Sequence, residues 1–230
     1  GEMNLWAGAG AHGMIADDLN GDNFDHGPHG FIGGAYLSAY ATNARPISAR
    51  PTPPGTPRWG SAWKKATAAS YNRTATVGTH GSVMSYRGSY LDLDPTYKDA
   101  HGLPLLRLTF DFHENELKMS RHCTDRAAEI ARAMGAKSIN PVYREGHYSI
   151  VPYQTTHNTG GTVMGDDPKT SVVNRYTQCW DVPNVFVSGA SLFPQNAGYN
   201  PTGTVGALAY WALDAIRDRY LKNPGPLVPA

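Results

Sequence analysis

Glycine and proline punctuate this chain from end to end, 25 and 17 of them in 230 residues, spread out rather than set in a repeat. Each glycine adds backbone freedom that folding must remove, and each proline fixes φ and deletes a hydrogen-bond donor. A chain so interrupted is expected to fold as short elements joined by many loops. That suits a loop-rich α/β or α+β enzyme and excludes a collagen-like or low-complexity protein. A formal net charge of +1, with 17% charged residues, argues against a nucleic-acid-binding surface. No apolar run is long enough to span a membrane, and no charged-then-apolar leader opens the chain. The two cysteines, Cys123 and Cys179, are far apart and form no C-x-x-C pair, so they read as buried or free thiols, with a disulfide between them as the alternative.

Elements follow from local pattern. Strands are expected over Phe31–Thr42, Tyr71–Met84, Ser89–Asp94 and Leu105–Phe112, with proline-rich Pro46–Gly60 as an extended loop. The clearest helix runs from about Phe112 to Met134. Asp111 and Glu114 have capping-box spacing, Leu117, Ala127, Ala128, Ile130, Ala131 and Met134 supply an apolar face, and Gly135 ends it. A strand-like Ala136–Asn140 follows. Asn184–Ser188 reads as a short buried strand, and a last helix starts near Pro201 and ends near Lys222. The expected class is α+β: over 31–148 a mostly antiparallel sheet packed on one face by the long helix, then a strand-turn-helix segment that docks on something else.

Three motifs invite chemistry and carry little. Gly8-Ala-Gly10-Ala-His-Gly13 matches the dinucleotide fingerprint, but no apolar strand precedes it and no convincing helix follows, so it reads as a glycine-rich turn. Asp18-Leu-Asn20-Gly-Asp22 imitates the start of a calcium loop, with Asn23 and His29 where glycine and glutamate are required. Nine histidines, His26 and His29 among them, leave open a metal-dependent hydrolase built from scattered residues. A non-catalytic autonomous binding module is the other alternative.

The C-terminal block is more specific. His157-Asn-Thr-Gly160-Gly161-Thr162 sets a histidine beside two glycines that let backbone approach a flat ligand. Asn184 to Ser188 then runs into Gly189-Ala190-Ser191, and Gly198-Tyr199-Asn200-Pro201-Thr202-Gly203 opens the last helix. In this order, with Asn200 placed 43 positions after His157, the block resembles the glucose–methanol–choline (GMC) oxidoreductases. Upstream, Leu91-Asp-Leu-Asp94-Pro95, Asp99, Gly102-Leu-Pro104, residues 17–26 and Gly30–Gly34 are similar to the branch containing gluconate, sorbitol, fructose and glucose dehydrogenase flavoprotein subunits.

The resemblance implies an FAD-dependent oxidoreductase acting on the CH–OH group of a sugar, polyol or aldonate, with hydride passing to flavin N5. His157 and Asn200 would be the catalytic pair, His157 as base. Gly189, Ala190, Asn200, Pro201 and Thr202 would lie against the flavin. It implies three segments: a flavin-proximal loop over 1–30, a substrate-binding domain over 31–148, and over 149–230 a segment completing an FAD-binding domain. The Rossmann part of that domain is not in this stretch. The implied partners are a small alcohol or sugar, the missing N-terminal FAD-binding half, cytochrome c and small subunits, with no nucleic acid. The implied setting is periplasmic, membrane-associated through partner subunits. Alone, the chain is expected to be inactive, with Val185, Val187 and Val205 uncovered.

Overall fold

The computed structural model describes residues 12–21, 23–41, 52–70, 73–151 and 157–229. They fall into two compact units that interleave along the chain: Gly1–Gly81 with Glu114–Glu145, and Ser82–His113 with Gly146–Ala230.

In the first unit, β1 (His12–Ala16), β2 (Ala35–Ala41) and β3 (Ala75–Gly81) form an antiparallel sheet in the order β1-β2-β3. Alternation fixes the register of β2 on β3. Tyr36 stacks on His80 directly opposite, with centroids 4.9 Å apart, and Gly78 leaves room for the Tyr40 ring, which a Cβ there would meet at 3.2 Å. Helix α1 (Gly60–Ser70) half-buries Trp63, Ala66, Thr67 and Ser70, one face at helical spacing.

Helix α2 (Glu114–Ala133) packs on β3 and β2. Its buried stripe is Glu116, Met119, Cys123 and Ala127, successive positions three or four apart, with Ala128 alongside. Met119 and Cys123 close with Phe31 and Ala35 into a core flanked by Leu19 and Phe24. Burying Phe31 and Met119 stabilises the unit by roughly 1.5–3 kcal/mol each. Gly81 admits the Met119 methyl, which a Cβ would approach to 2.5 Å. Both cysteines are free, and burial pushes the Cys123 thiol up to about 11. Gly135, at φ +78°, ends α2 with the Gly135 and Ala136 N–H groups returning to Arg132 and Ala131.

In the second unit, β4 (Tyr90–Lys98) and β5 (Pro104–Thr109) form a separate antiparallel hairpin. The Asp92–Arg107 ion pair links them across the ladder. Register breaks between Leu93 and Lys98, where Pro95 has no N–H to give and the Asp94 carboxylate accepts from Thr96 and Tyr97 instead. Beyond Gly146 the backbone is mostly irregular until a 3-10 turn at Ala190–Leu192 and helix α3 (Thr202–Ala215), which runs on as a π turn over Ile216–Tyr220. Gln178, 1% exposed, ties the C-terminal tail down: its amide donates to Pro183 and Gly225 carbonyls and accepts from Leu227 N–H.

Several expectations are corrected. The strands of 31–148 form two sheets rather than one. β4 runs through Asp94-Pro95, and Ala136–Asn140 is not a strand. Asn184–Ser188 makes only an isolated bridge, Phe186 with Gln178, because its partners lie on a tight turn rather than a strand. Asp111 does not reach into the first turn of α2. Its carboxylate takes the Phe112 and Tyr148 N–H groups and the His147 ring, beside a cluster of Phe110, Phe112 and Tyr148. Met134 is 59% exposed rather than on the buried face. Val185 is 44% exposed, while Val187 and Val205 are half-buried.

Candidate active site

The stretch from His157 carries two glycines at φ +78° and +91°, Gly160 and Gly161, a conformation costly for any other residue. They lay the chain alongside the 190–192 turn. Gly160 N–H donates to the Ala190 carbonyl (3.2 Å), Thr162 N–H to Ser191 (3.0 Å) and Met164 N–H to Leu192 (3.0 Å), and the Thr162 hydroxyl donates to Ser191 Oγ (2.7 Å). Leu192, 1% exposed, anchors the turn from beneath. Leu91 of β4 packs on Gly161, where a Cβ would come within 2.9 Å of its methyl.

Asn196 joins this pair of segments to the next. Its main chain exchanges two hydrogen bonds with Val83 (3.0 and 3.1 Å). Its side-chain Nδ2 donates to the His157 carbonyl (2.8 Å), and its Oδ1 accepts from Gly198 N–H (2.8 Å). Gly198, buried at φ +83°, then turns the chain into Tyr199, Asn200 and Pro201, from which α3 departs. One amide therefore holds the backbone of His157 and the turn that leads to Asn200. Asn200 is exposed and makes no hydrogen bond among the described residues.

Two stretches beside these residues are open among the described residues. Gly189 has an extended ψ at φ +127°, and a Cβ there would meet no described atom within 4 Å. At α3, Pro201 occupies the cap position, no side chain caps the first turn, and no acidic residue sits in it. A helix N-terminus of this kind favours negative charge nearby. Added Cβ atoms at Gly203 and Gly206 would likewise meet nothing.

The sequence analysis thus named His157, Gly189, Ala190, Asn200, Pro201 and Thr202, and hydrogen bonds tie together the segments that carry them. Asn196 was missed, as was the Thr162–Ser191 pair. The only local signal for Asn196 is its short turn, an asparagine carbonyl two residues before a glycine N–H.

The other motifs resolve differently. Residues 12–16 form β1 where a dinucleotide fingerprint requires a helix, while residues 1–11 lie outside the described residues. The calcium-like stretch closes on itself through Asn20 and Asn23 N–H bonds to Asp17 and Asn20; Asp22 lies outside the described residues. Rings of His26, His29 and His122 pack with Phe24 and Phe31, and His29 and His122 lie 4.2 Å apart. Burial and then the neighbouring His29 hold His122 below the usual imidazole range. Among the described residues no group of three or more His, Cys, Asp or Glu side chains could hold a metal ion.

Comparison with known proteins gives the family. A family model described as GMC oxidoreductase matches residues 85–209, and the chain belongs to that family. It is 54% identical over 229 residues to the gluconate 2-dehydrogenase flavoprotein of Pantoea cypripedii, covering 99% of this chain and 37% of that one. It is 35% identical over 162 residues to the 2-methyl-1,2-propanediol dehydrogenase of Mycolicibacterium austroafricanum, with 70% and 28% covered. It is also 35% identical over 136 residues to the fructose dehydrogenase large subunit of Gluconobacter japonicus, with 58% and 23% covered. The chain therefore spans between 23% and 37% of the length of these curated relatives.

Proposed function

We propose that this chain carries the proton-handling half of an FAD-dependent dehydrogenase that oxidises the CH–OH group of a sugar, polyol or aldonate. The observation that supports it most is the Asn196 bridge, which gathers the His157 loop and the turn to Asn200 beside Gly189 and Ala190.

Gly189, Ala190, Asn200, Pro201 and Thr202 are the residues that would hold the flavin. When bound, it supplies the hydride acceptor. The remaining demands fall on the protein. An alcohol gives up a hydroxyl proton along with the hydride, and an imidazole is a side chain that can take it as general base. His157 fills that role. Asn200 offers both an amide oxygen and amide hydrogens, so it grips the same hydroxyl without competing for the proton. The open first turn of α3 favours negative charge beside it. A base placed this way contributes about 10²–10⁴-fold.

The N-terminal FAD-binding half comes from the rest of a longer protein. Small and cytochrome c subunits in a periplasmic setting complete the reading, and the chain alone is inactive. Three relatives are named for gluconate, a propanediol and fructose, which motivates the substrate class. In the flavin-loaded protein that contains this segment, H157A is expected to lower dye-linked alcohol oxidation by about 10²–10⁴-fold while the flavin absorbance spectrum keeps its bound form. Oxidation within twofold of the parent would sink the assignment.

A further inference from the structure

We propose that Asn196 is a positioning residue for the reaction, setting where the His157 imidazole stands relative to Asn200. This rests on the role given to His157 above.

Asn196 differs from an ordinary loop asparagine in having every part of it committed. Its main chain is fixed by the two bonds with Val83, so the side chain projects from an anchored point. Nδ2 then donates to the His157 carbonyl and Oδ1 accepts from Gly198 N–H, both at 2.8 Å. These two bonds run to the two arms of the site. His157 is bound through its backbone carbonyl, which limits where its Cα lies. Gly198 is bound two residues before Asn200, at a positive φ that sets the direction of the turn. Without the Asn196 amide, the His157 carbonyl loses the hydrogen bond that ties it to the turn leading to Asn200. A misplacement of about 1 Å at such a point costs on the order of 10²-fold in rate.

The two bonds separate chemically. An aspartate at 196 still accepts from Gly198 N–H. Once ionised it cannot donate to the His157 carbonyl, and it repels that oxygen. Protonated, it regains an O–H to donate. Serine keeps an acceptor for Gly198 but falls short of His157, so N196S serves as the second variant should N196D fold poorly.

The test uses the flavin-loaded full-length protein, with N196D, N196S and H157A in parallel. The expected result is a fall in kcat of about 10- to 100-fold in both Asn196 variants, with KM and the flavin spectrum close to the parent. The ratio of N196D to parent kcat should rise as pH is lowered from 7 to 5, and that of N196S should stay flat. Hydrogen exchange gives a readout independent of turnover: the Gly160 amide, bonded to the Ala190 carbonyl, loses protection in both variants, while Gly198 stays protected. A merely structural asparagine would lower thermal stability without a pH-dependent kcat ratio, and that result overturns the proposal. So does parental kcat in N196D with an inactive H157A, which leaves the base assignment standing. Full activity in H157A overturns both.

Discussion

Replacing Gly34 with alanine puts the packing of the first unit to a numerical test. Gly34 lies just before β2, where the chain passes under the turn at 19–21. A Cβ there would sit 2.1 Å from the Leu19 carbonyl oxygen and 2.9 Å from both Asn20 Cα and Gly21 N, all backbone atoms. Carbon–oxygen contacts settle at about 3.3–3.6 Å, so more than about 1 Å of movement is required. The obstructed oxygen is also the acceptor for Ala35 N–H at 2.9 Å, the bond that starts β2. Overpacking costs about 1–3 kcal/mol and the lost bond about 1 kcal/mol, against a gain of about 0.4–1 kcal/mol from a stiffer unfolded chain. The net expectation is a loss of about 1–3.5 kcal/mol, read as a lower urea midpoint at unchanged m, or a Tm drop of roughly 2–14 °C. Gly81→Ala is the internal comparison. Its obstruction is the end of the flexible Met119 side chain, which can swing aside, so it should cost less. G34A as stable as G81A would show that the turn yields freely and that the close approach does not constrain the fold.

The remaining predictions concern the second unit. Asp111 is held down to about 2 by the His147 ring, then by Tyr148 and Phe112 N–H, and the same contact raises His147 above 6.5. The carboxylate's contribution is present above its ordinary 3.8 and disappears as pH falls through about 2. The imidazolium's is present below 6.5 and disappears as pH rises through its higher folded value. An NMR titration of the His147 ring should show a midpoint above 6.5 that moves back toward it in D111N; an unchanged midpoint counts against the pair. Gln178→Leu removes the acceptor for Leu227 N–H and the donor to two carbonyls, and should cost about 2–4 kcal/mol. Faster proteolysis of the tail after Asn223 would accompany that loss, and tail protection equal to the parent would contradict it.

How much of this was legible in the sequence depends on how local each signal is. Helix α2 was visible because its apolar residues recur within one segment and Gly135 supplies a positive φ at its end. Its cap was misread because Asp111 found partners at His147 and Tyr148, a long-range choice that no spacing rule contains. Helix α1 went unnoticed because it follows a proline-rich stretch and half-buries only Trp63 and small or polar residues. The strands over 31–148 were seen, but their division into two sheets depends on which edges pair. At the site, the glycine turns and the Pro201 start of α3 are written in local residue types. The role of Asn196 is not, since its partners His157 and Val83 lie far away in the chain.

The interleaving of the two units has a consequence for synthesis. When Gly81 leaves the ribosome, β1, β2 and β3 are complete, yet the helix that covers Phe31 and Ala35 ends only at Ala133. At about 5–20 residues per second, the intervening stretch of about 50 residues takes on the order of 3–10 s to emerge. For that interval the nascent sheet shows an apolar face and an unprotected edge, the condition that recruits chaperones and seeds aggregation. A translational pause after residue 81 prolongs it, whereas one after residue 145 falls when the first unit already holds its helix.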